Sequence, residues 1–139
     1  MRVGFTCGAF DLLHPGHLAL FKQATEQCDY LIVGLQTNPQ LDRSFKNVPV
    51  QSMYERYTQL ISCKYVDHVI PYDTEKDLEN ILAIEDIQVR FLGNEYYGQP
   101  ITGQKICEER KIELVFLERN HSYSSTELRN RINDIRQTS

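Results

Sequence analysis

The sequence holds no apolar run approaching the roughly 20 residues that cross a bilayer, which excludes a membrane-spanning helix. It holds no long basic run, and its net charge is −4, which argues against sequence-general binding to nucleic acid. Cysteine is scarce and scattered. Cys7, Cys28, Cys63 and Cys107 form no C-x-x-C pair, a pattern of reduced thiols rather than of a disulfide framework or a zinc site. Cys7 reads as a small buried thiol. Internal repeats, low-complexity tracts and linkers are also missing. A strand-like run begins almost at the first residue, so we expect no signal peptide and a cytoplasmic location. The 139 residues are enough for one domain that buries about two thirds of its unfolded surface, and we expect residues 1–139 to form it.

What is present is an alternation of short apolar runs with helical periodicity. Strands are expected near Arg2–Thr6, Tyr30–Leu35, Val66–Ile70, Val89–Leu92 and Glu113–Phe116. Helices are expected over His17–Cys28, Ser52–Cys63, Asp77–Ile84, Ile101–Lys111 and Ser125–Ile135. Leu18, Phe21, Ala24 and Cys28 give the first helix one apolar face; Tyr57, Leu60 and Ile61 do so for the second; Leu128, Ile132 and Ile135 for the last. Such β-α alternation predicts an α/β fold: a Rossmann-like, doubly wound parallel sheet of five strands. Its ligand crevice lies at the carboxyl ends of the strands, near the first and fourth.

Two motifs fall at that crevice. Gly8-Ala9-Phe10-Asp11-Leu12-Leu13-His14-Pro15-Gly16-His17 runs from the first strand into the first helix. Backbone N–H groups at a helix start, with the helix dipole, favour an anion. Gly8 and Gly16 allow close backbone approach, and Pro15 suits the first helical turn. His14 and His17, three apart, can aim two imidazole donors to one side. Taken alone, the pair also reads as an ordinary turn residue and a packed helix residue. The second motif is Arg119-Asn120-His121-Ser122-Tyr123-Ser124-Ser125-Thr126-Glu127. Ser124 and Glu127 form an S-x-x-E capping box; the hydroxyls and free N–H groups there can hold a phosphate tail, which Arg119 can neutralise.

The first motif resembles the H-x-G-H signature of the nucleotidyltransferase superfamily, and its longer form is similar to the cytidylyltransferase branch, nearest the glycerol-3-phosphate enzymes. The resemblance covers nearly the whole chain and is strongest at residues 8–17, 54–71 and 119–127. It implies the nucleotidyltransferase fold, a homodimer, and transfer of CMP from CTP to a small alcohol phosphate with release of pyrophosphate. Mg²⁺, bound mainly through the nucleotide phosphates, is the implied cofactor, with no dedicated protein metal site. The implied catalytic residues are His14, His17 and Arg119, acting as electrostatic stabilisers. The implied nucleotide contacts are Gly8, Ala9, Phe10, Asp11, Gly16, Lys46, Gly93, Asn94, Ser124, Ser125 and Thr126; Asp11 would orient the turn or a metal-bound water. Arg56, Lys64, Lys76 and Glu95 are the implied acceptor contacts. Lys46 belongs to the long irregular stretch Gln36–Val50, where Arg43 would assist it.

Two positions depart from the pattern. Ala9 stands where many relatives carry a threonine, and Lys64 stands where an arginine would offer a bidentate fork. The acceptor stays open between glycerol-3-phosphate, ethanolamine phosphate and a sugar phosphate, and the nucleotide between CTP and ATP. A non-catalytic nucleotide-binding module and a flavodoxin-like redox or signalling domain are the readings outside this class.

Overall fold

The computed structural model describes all residues except Asp42, Phe45, Asn47, Asn120, Ser122 and Ser139, and the backbone alone at Gln137 and Thr138. Strands β1 (Val3–Gly8), β2 (Tyr30–Gln36), β3 (His68–Tyr72), β4 (Val89–Gly93) and β5 (Glu113–Leu117) form one parallel sheet in the order β3-β2-β1-β4-β5. The helices are α1 (Pro15–Thr25), α2 (Met53–Ile61), α3 (Glu75–Ile84), α4 (Gln104–Glu109) and α5 (Ser125–Thr138). The strand order reverses between β1 and β4, so the crevice opens above their carboxyl ends.

Both faces of the sheet are covered, which is why the strands read as continuous apolar runs. Leu31, Val33 and Leu35 of β2 point to one face and meet Phe21, Leu60 and Phe91. Ile32, between them, points to the other and joins Phe5, Leu78, Leu82, Cys107 and Ile112. Capping boxes with a hydroxyl and a carboxylate start α2 and α3. The Ser52 hydroxyl accepts from the Glu55 N–H (3.2 Å) and the Glu55 carboxylate accepts from the Ser52 N–H (2.9 Å). Thr74 and Asp77 repeat the arrangement at α3. Among the described residues, no helix is long and apolar enough to cross a membrane.

Several local expectations are corrected. Helix α1 starts at Pro15, so His17 lies within its first turn, and Leu18 is exposed instead of packed. Strand β3 starts at His68, because Asp67 turns back to accept from the Leu31 N–H (2.8 Å). On α2 the buried residues are Arg56 and Leu60, whereas Tyr57 and Ile61 are exposed: the helix is rotated to turn Arg56 inward. Helix α4 is shorter than expected and follows Gly103, whose φ of 80° is left-handed. Helix α5 is tied to the turn after β1 through Ser125 and Arg129, and Ile132 and Ile135 are 46% and 66% exposed.

Candidate functional site

The turn after β1 is built from side chains that bind its own backbone. His14 caps α1: its Nδ1 accepts from the Gly16 N–H (3.0 Å). The His17 Nδ1 accepts in return from the His14 N–H (3.3 Å), giving a capping box made of two histidines. With both Nδ1 atoms acting as acceptors, the bonding assigns each ring proton to Nε2. The rings stack with centroids 3.9 Å apart, so the two Nε2–H donors are held as a pair. Phe10 supports the pair, its ring edge-on to His17 at 5.4 Å. Glycine at position 16 is a steric requirement: a Cβ there would come within 2.6 Å of the His121 ring and 2.7 Å of the His14 ring.

Burial, followed by the neighbouring His14, lowers the His17 pKa to about 3. Burial also lowers that of His14, helped by His121 and Arg119 against the opposing pull of Glu127. At neutral pH both imidazoles are neutral, and each offers one N–H.

Asp11 ties this turn to two other segments. Its carboxylate accepts from the N–H groups of Val50 (2.8 Å) and Gln51 (2.9 Å) and from the Arg129 guanidinium. Its carbonyl accepts from the Ser125 hydroxyl (2.6 Å). Burial would raise the Asp11 pKa, but the Gln51 and Val50 N–H groups and Arg129 outweigh it and hold the carboxyl below its ordinary value. On either side, Phe10 (φ 47°) and Leu12 (φ 52°) adopt the left-handed backbone that bulky residues avoid. The Leu12 N–H is fixed by the Gln51 side-chain oxygen (2.8 Å). Neighbouring anchors thus hold a strained turn at the mouth of the crevice.

Two cavities meet above this turn. The first, about 380 Å³, runs from Gly8, Phe10 and Lys46 down to Cys7, Tyr72 and Arg90. The second, about 250 Å³, lies between His14, Gly16 and His17 on one side and Arg119, His121 and Ser124 on the other. Leu20, Gly93 and Glu95 line both, which marks their junction. Ser124 caps α5 as expected, its hydroxyl accepting from the Glu127 N–H (2.9 Å). Arg119 donates to the Tyr123 carbonyl, and both residues line the second cavity.

The comparisons with known proteins agree with this geometry. The profile described as Cytidylyltransferase-like matches residues 5–131. The chain belongs to the cytidylyltransferase-like family. The Bifunctional protein HldE of Caulobacter vibrioides is 38% identical over 135 residues, which cover 96% of this chain and 28% of that protein. The protein of the same name from Hyphomonas neptunium is 36% identical over 132 residues, 91% of this chain and 26% of its own length. The chain thus spans under a third of the length of these curated relatives. Among solved structures, the lipopolysaccharide core biosynthesis protein from Thermoplasma volcanium superposes with a TM-score of 0.69 at 19% identity, covering 89% of this chain and 99% of that one. The pantoate-beta-alanine ligase from Francisella tularensis superposes with a TM-score of 0.56 at 18% identity, covering 98% and 71%. Both likenesses are to the fold, which is the nucleotidyltransferase fold, and the family places the chain in the nucleotidyltransferase class of enzymes.

Within this family member, the expected residues divide into those the fold brings to the cavities and those it does not. His14, His17, Gly16, Arg119, Ser124 and Ser125 line the second cavity; Gly8, Phe10 and Lys46 line the first; Gly93 and Glu95 line both. Arg43 lines the first cavity and pairs with Glu75 (2.5 Å). Asn94 and Thr126 are exposed and line neither, because the 3-10 turn Asn94–Tyr96 and the start of α5 aim them outward. Ala9 and Asp11 serve the turn itself through backbone and carboxylate contacts. Asp42, Phe45 and Asn47 of the long loop, and Asn120 and Ser122 of the second motif, lie outside the described residues.

Of the expected acceptor contacts, Arg56 is recast most clearly. It is 3% exposed, and its guanidinium donates to the carbonyls of Ala9 (3.1 Å), Gln36 (2.6 Å), Thr37 (2.7 Å) and Gln51 (3.3 Å). It braces the ends of β1 and β2 instead of facing a ligand. Lys64 stands before β3, at the amino ends of the strands and opposite the crevice, over the Tyr65 ring at 5.1 Å. Lys76, in the first turn of α3, is exposed and lines neither cavity.

Three residues escaped the sequence reading. Arg129 lies one helical turn beyond Ser125, and both reach Asp11. That spacing was the available signal. His121 stood inside a motif read for its arginine and hydroxyls. Arg90 interrupts an apolar strand, a conspicuous place for a charge.

Proposed function

We propose that this chain transfers a nucleoside monophosphate from a nucleoside triphosphate to the phosphate of a small alcohol or sugar phosphate. The observation that carries the reading is the paired, backbone-pinned Nε2–H donors of His14 and His17 facing Arg119 across the second cavity, with a separate first cavity opening onto the same junction. The triphosphate occupies the second cavity and the acceptor the first. An acceptor phosphate oxygen attacks the α-phosphorus, the bond to the β-phosphate breaks, and pyrophosphate leaves. The attacking group is already an anion, so no base is needed. The two imidazoles donate to phosphate oxygens as charge shifts onto them; one such donor contributes on the order of 3 kcal/mol in the transition state.

CTP as nucleotide and glycerol-3-phosphate as acceptor follow from the likeness of residues 8–17 to the cytidylyltransferase branch. ATP with a sugar phosphate is the second reading, favoured by an acceptor cavity of about 380 Å³ that includes Gln36, Gln99 and Thr102. Mg²⁺ would supply charge neutralisation to the triphosphate. We also carry forward the homodimer, which sedimentation would test. The test of the reaction is pyrophosphate release with Mg²⁺, crossing CTP, ATP, GTP and UTP with glycerol-3-phosphate, ethanolamine phosphate and sugar phosphates. Release that requires one nucleotide and one acceptor together names the substrates. Nucleotide binding with no release for any pair contradicts the reading.

A further inference from the structure

The floor of the first cavity holds a charge that the transfer step does not use. Arg90 is the second residue of β4, opposite Phe5 of β1, and its side chain belongs to the α3–α4 face of the sheet. It is 4% exposed. One terminal nitrogen donates to the Thr102 carbonyl (2.5 Å), and the other lies 3.9 Å from the Cys7 sulfur. Its Nε has no hydrogen-bond partner among the described residues, and no carboxylate pairs with the guanidinium there.

A buried charge without a counter-charge is costly, and arginine cannot shed its proton to escape the cost as a lysine can. A thiol is a weak acceptor and neutralises nothing. The edge left to that thiol is the one carrying Nε and the second terminal nitrogen, the fork that fits two oxygens of a carboxylate or phosphate. Arg90 is part of the cavity lining, beside Tyr72 and Cys7. Burial, then Cys7, raises the Tyr72 pKa, so its phenol remains a donor there. Arg90 does not line the second cavity, where the two histidines stand. The part of an acceptor that it reaches is therefore remote from the phosphate that meets the nucleotide.

We propose that Arg90 recognises a second anionic group on the acceptor, at the end remote from its reacting phosphate. The inference rests on the placement of the acceptor in the first cavity under the proposed transfer reaction. It distinguishes acceptors that the family resemblance leaves equivalent: a phosphate with a neutral tail leaves the buried charge unmatched, and one with an acidic tail matches it.

The test uses two pairs of compounds that differ in the tail: glycerol-3-phosphate against 3-phosphoglycerate for a carboxylate, and fructose monophosphate against fructose bisphosphate for a phosphate. Binding is measured by calorimetry, and turnover by pyrophosphate release with each nucleotide, for the wild type and for Arg90→Gln and Arg90→Lys. We expect the acidic member of at least one pair to bind on the order of tenfold or more tightly than its neutral partner. Arg90→Gln should remove that preference, and Arg90→Lys should retain part of it. The wild-type comparison stands even if a variant fails to fold, which melting curves would reveal. Preference in binding without turnover upholds the inference while contradicting the transfer reaction. Equal binding within both pairs, no binding of any of the four, or an equal loss for both members in Arg90→Gln overturns it.

Discussion

His14 and His17 gain their geometry from the backbone, and this sets what their loss should do. Each is held through Nδ1, so the other nitrogen is committed to the cavity. His17→Ala should lower kcat by roughly a hundredfold or more with the fold retained, as steady-state kinetics and melting curves would show. Near-normal turnover would remove His17 from the catalytic set. The depressed pKa of His17 also makes a prediction about stability. Between its ordinary value of 6.5 and about 3, the unfolded chain binds a proton there that the folded chain refuses. Stability should therefore fall as pH falls through that window. The Asp11 carboxyl adds a loss of the same sign only below its ordinary value of 3.8. Melting temperatures between about pH 7 and pH 4 should decline less in His17→Asn than in the wild type. Parallel declines would show that His17 contributes nothing to that loss.

At the scale of elements, the sequence reading succeeded where period and capping determine structure. All five strands and all five helices were legible, because apolar runs and S-x-x-E pairs are local signals. The faces of α2 and α5 were not. Arg56 turns inward because carbonyls from β1, β2 and the segment before α2 converge on it, and no local pattern announces such a long-range demand. Arg56→Met should cost about 3 kcal/mol or more of stability by leaving those carbonyls unpaired; chemical denaturation measures this, and a change under about 1 kcal/mol would refute the brace. The left-handed backbone at Phe10 and Leu12 was equally hidden, since bulky residues avoid it and no local pattern announces it. Lys46 is the loop residue the fold does bring to the first cavity. If it meets the acceptor, Lys46→Ala should raise the acceptor KM several-fold and alter kcat less. An unchanged KM for both substrates would return it to the solvated surface.

Over the whole molecule, the strand order β3-β2-β1-β4-β5 brings together residues more than a hundred positions apart. Asp11 meets Arg129 and Ser125, and His14 faces Arg119. The two motifs were legible separately; that they form the walls of one cavity follows from a topology in which only β4 separates β1 from β5, the strand before the second motif. The same topology separates the two cavities, and the proposed reaction depends on that separation. The most direct measurement follows the phosphorus NMR spectrum of the protein with Mg²⁺, a nucleoside triphosphate and an acceptor phosphate. The account predicts that the acceptor resonance is replaced by a new diphosphate diester as an equal amount of pyrophosphate appears. Orthophosphate as the only product, or pyrophosphate that forms without consumption of an acceptor, would contradict it.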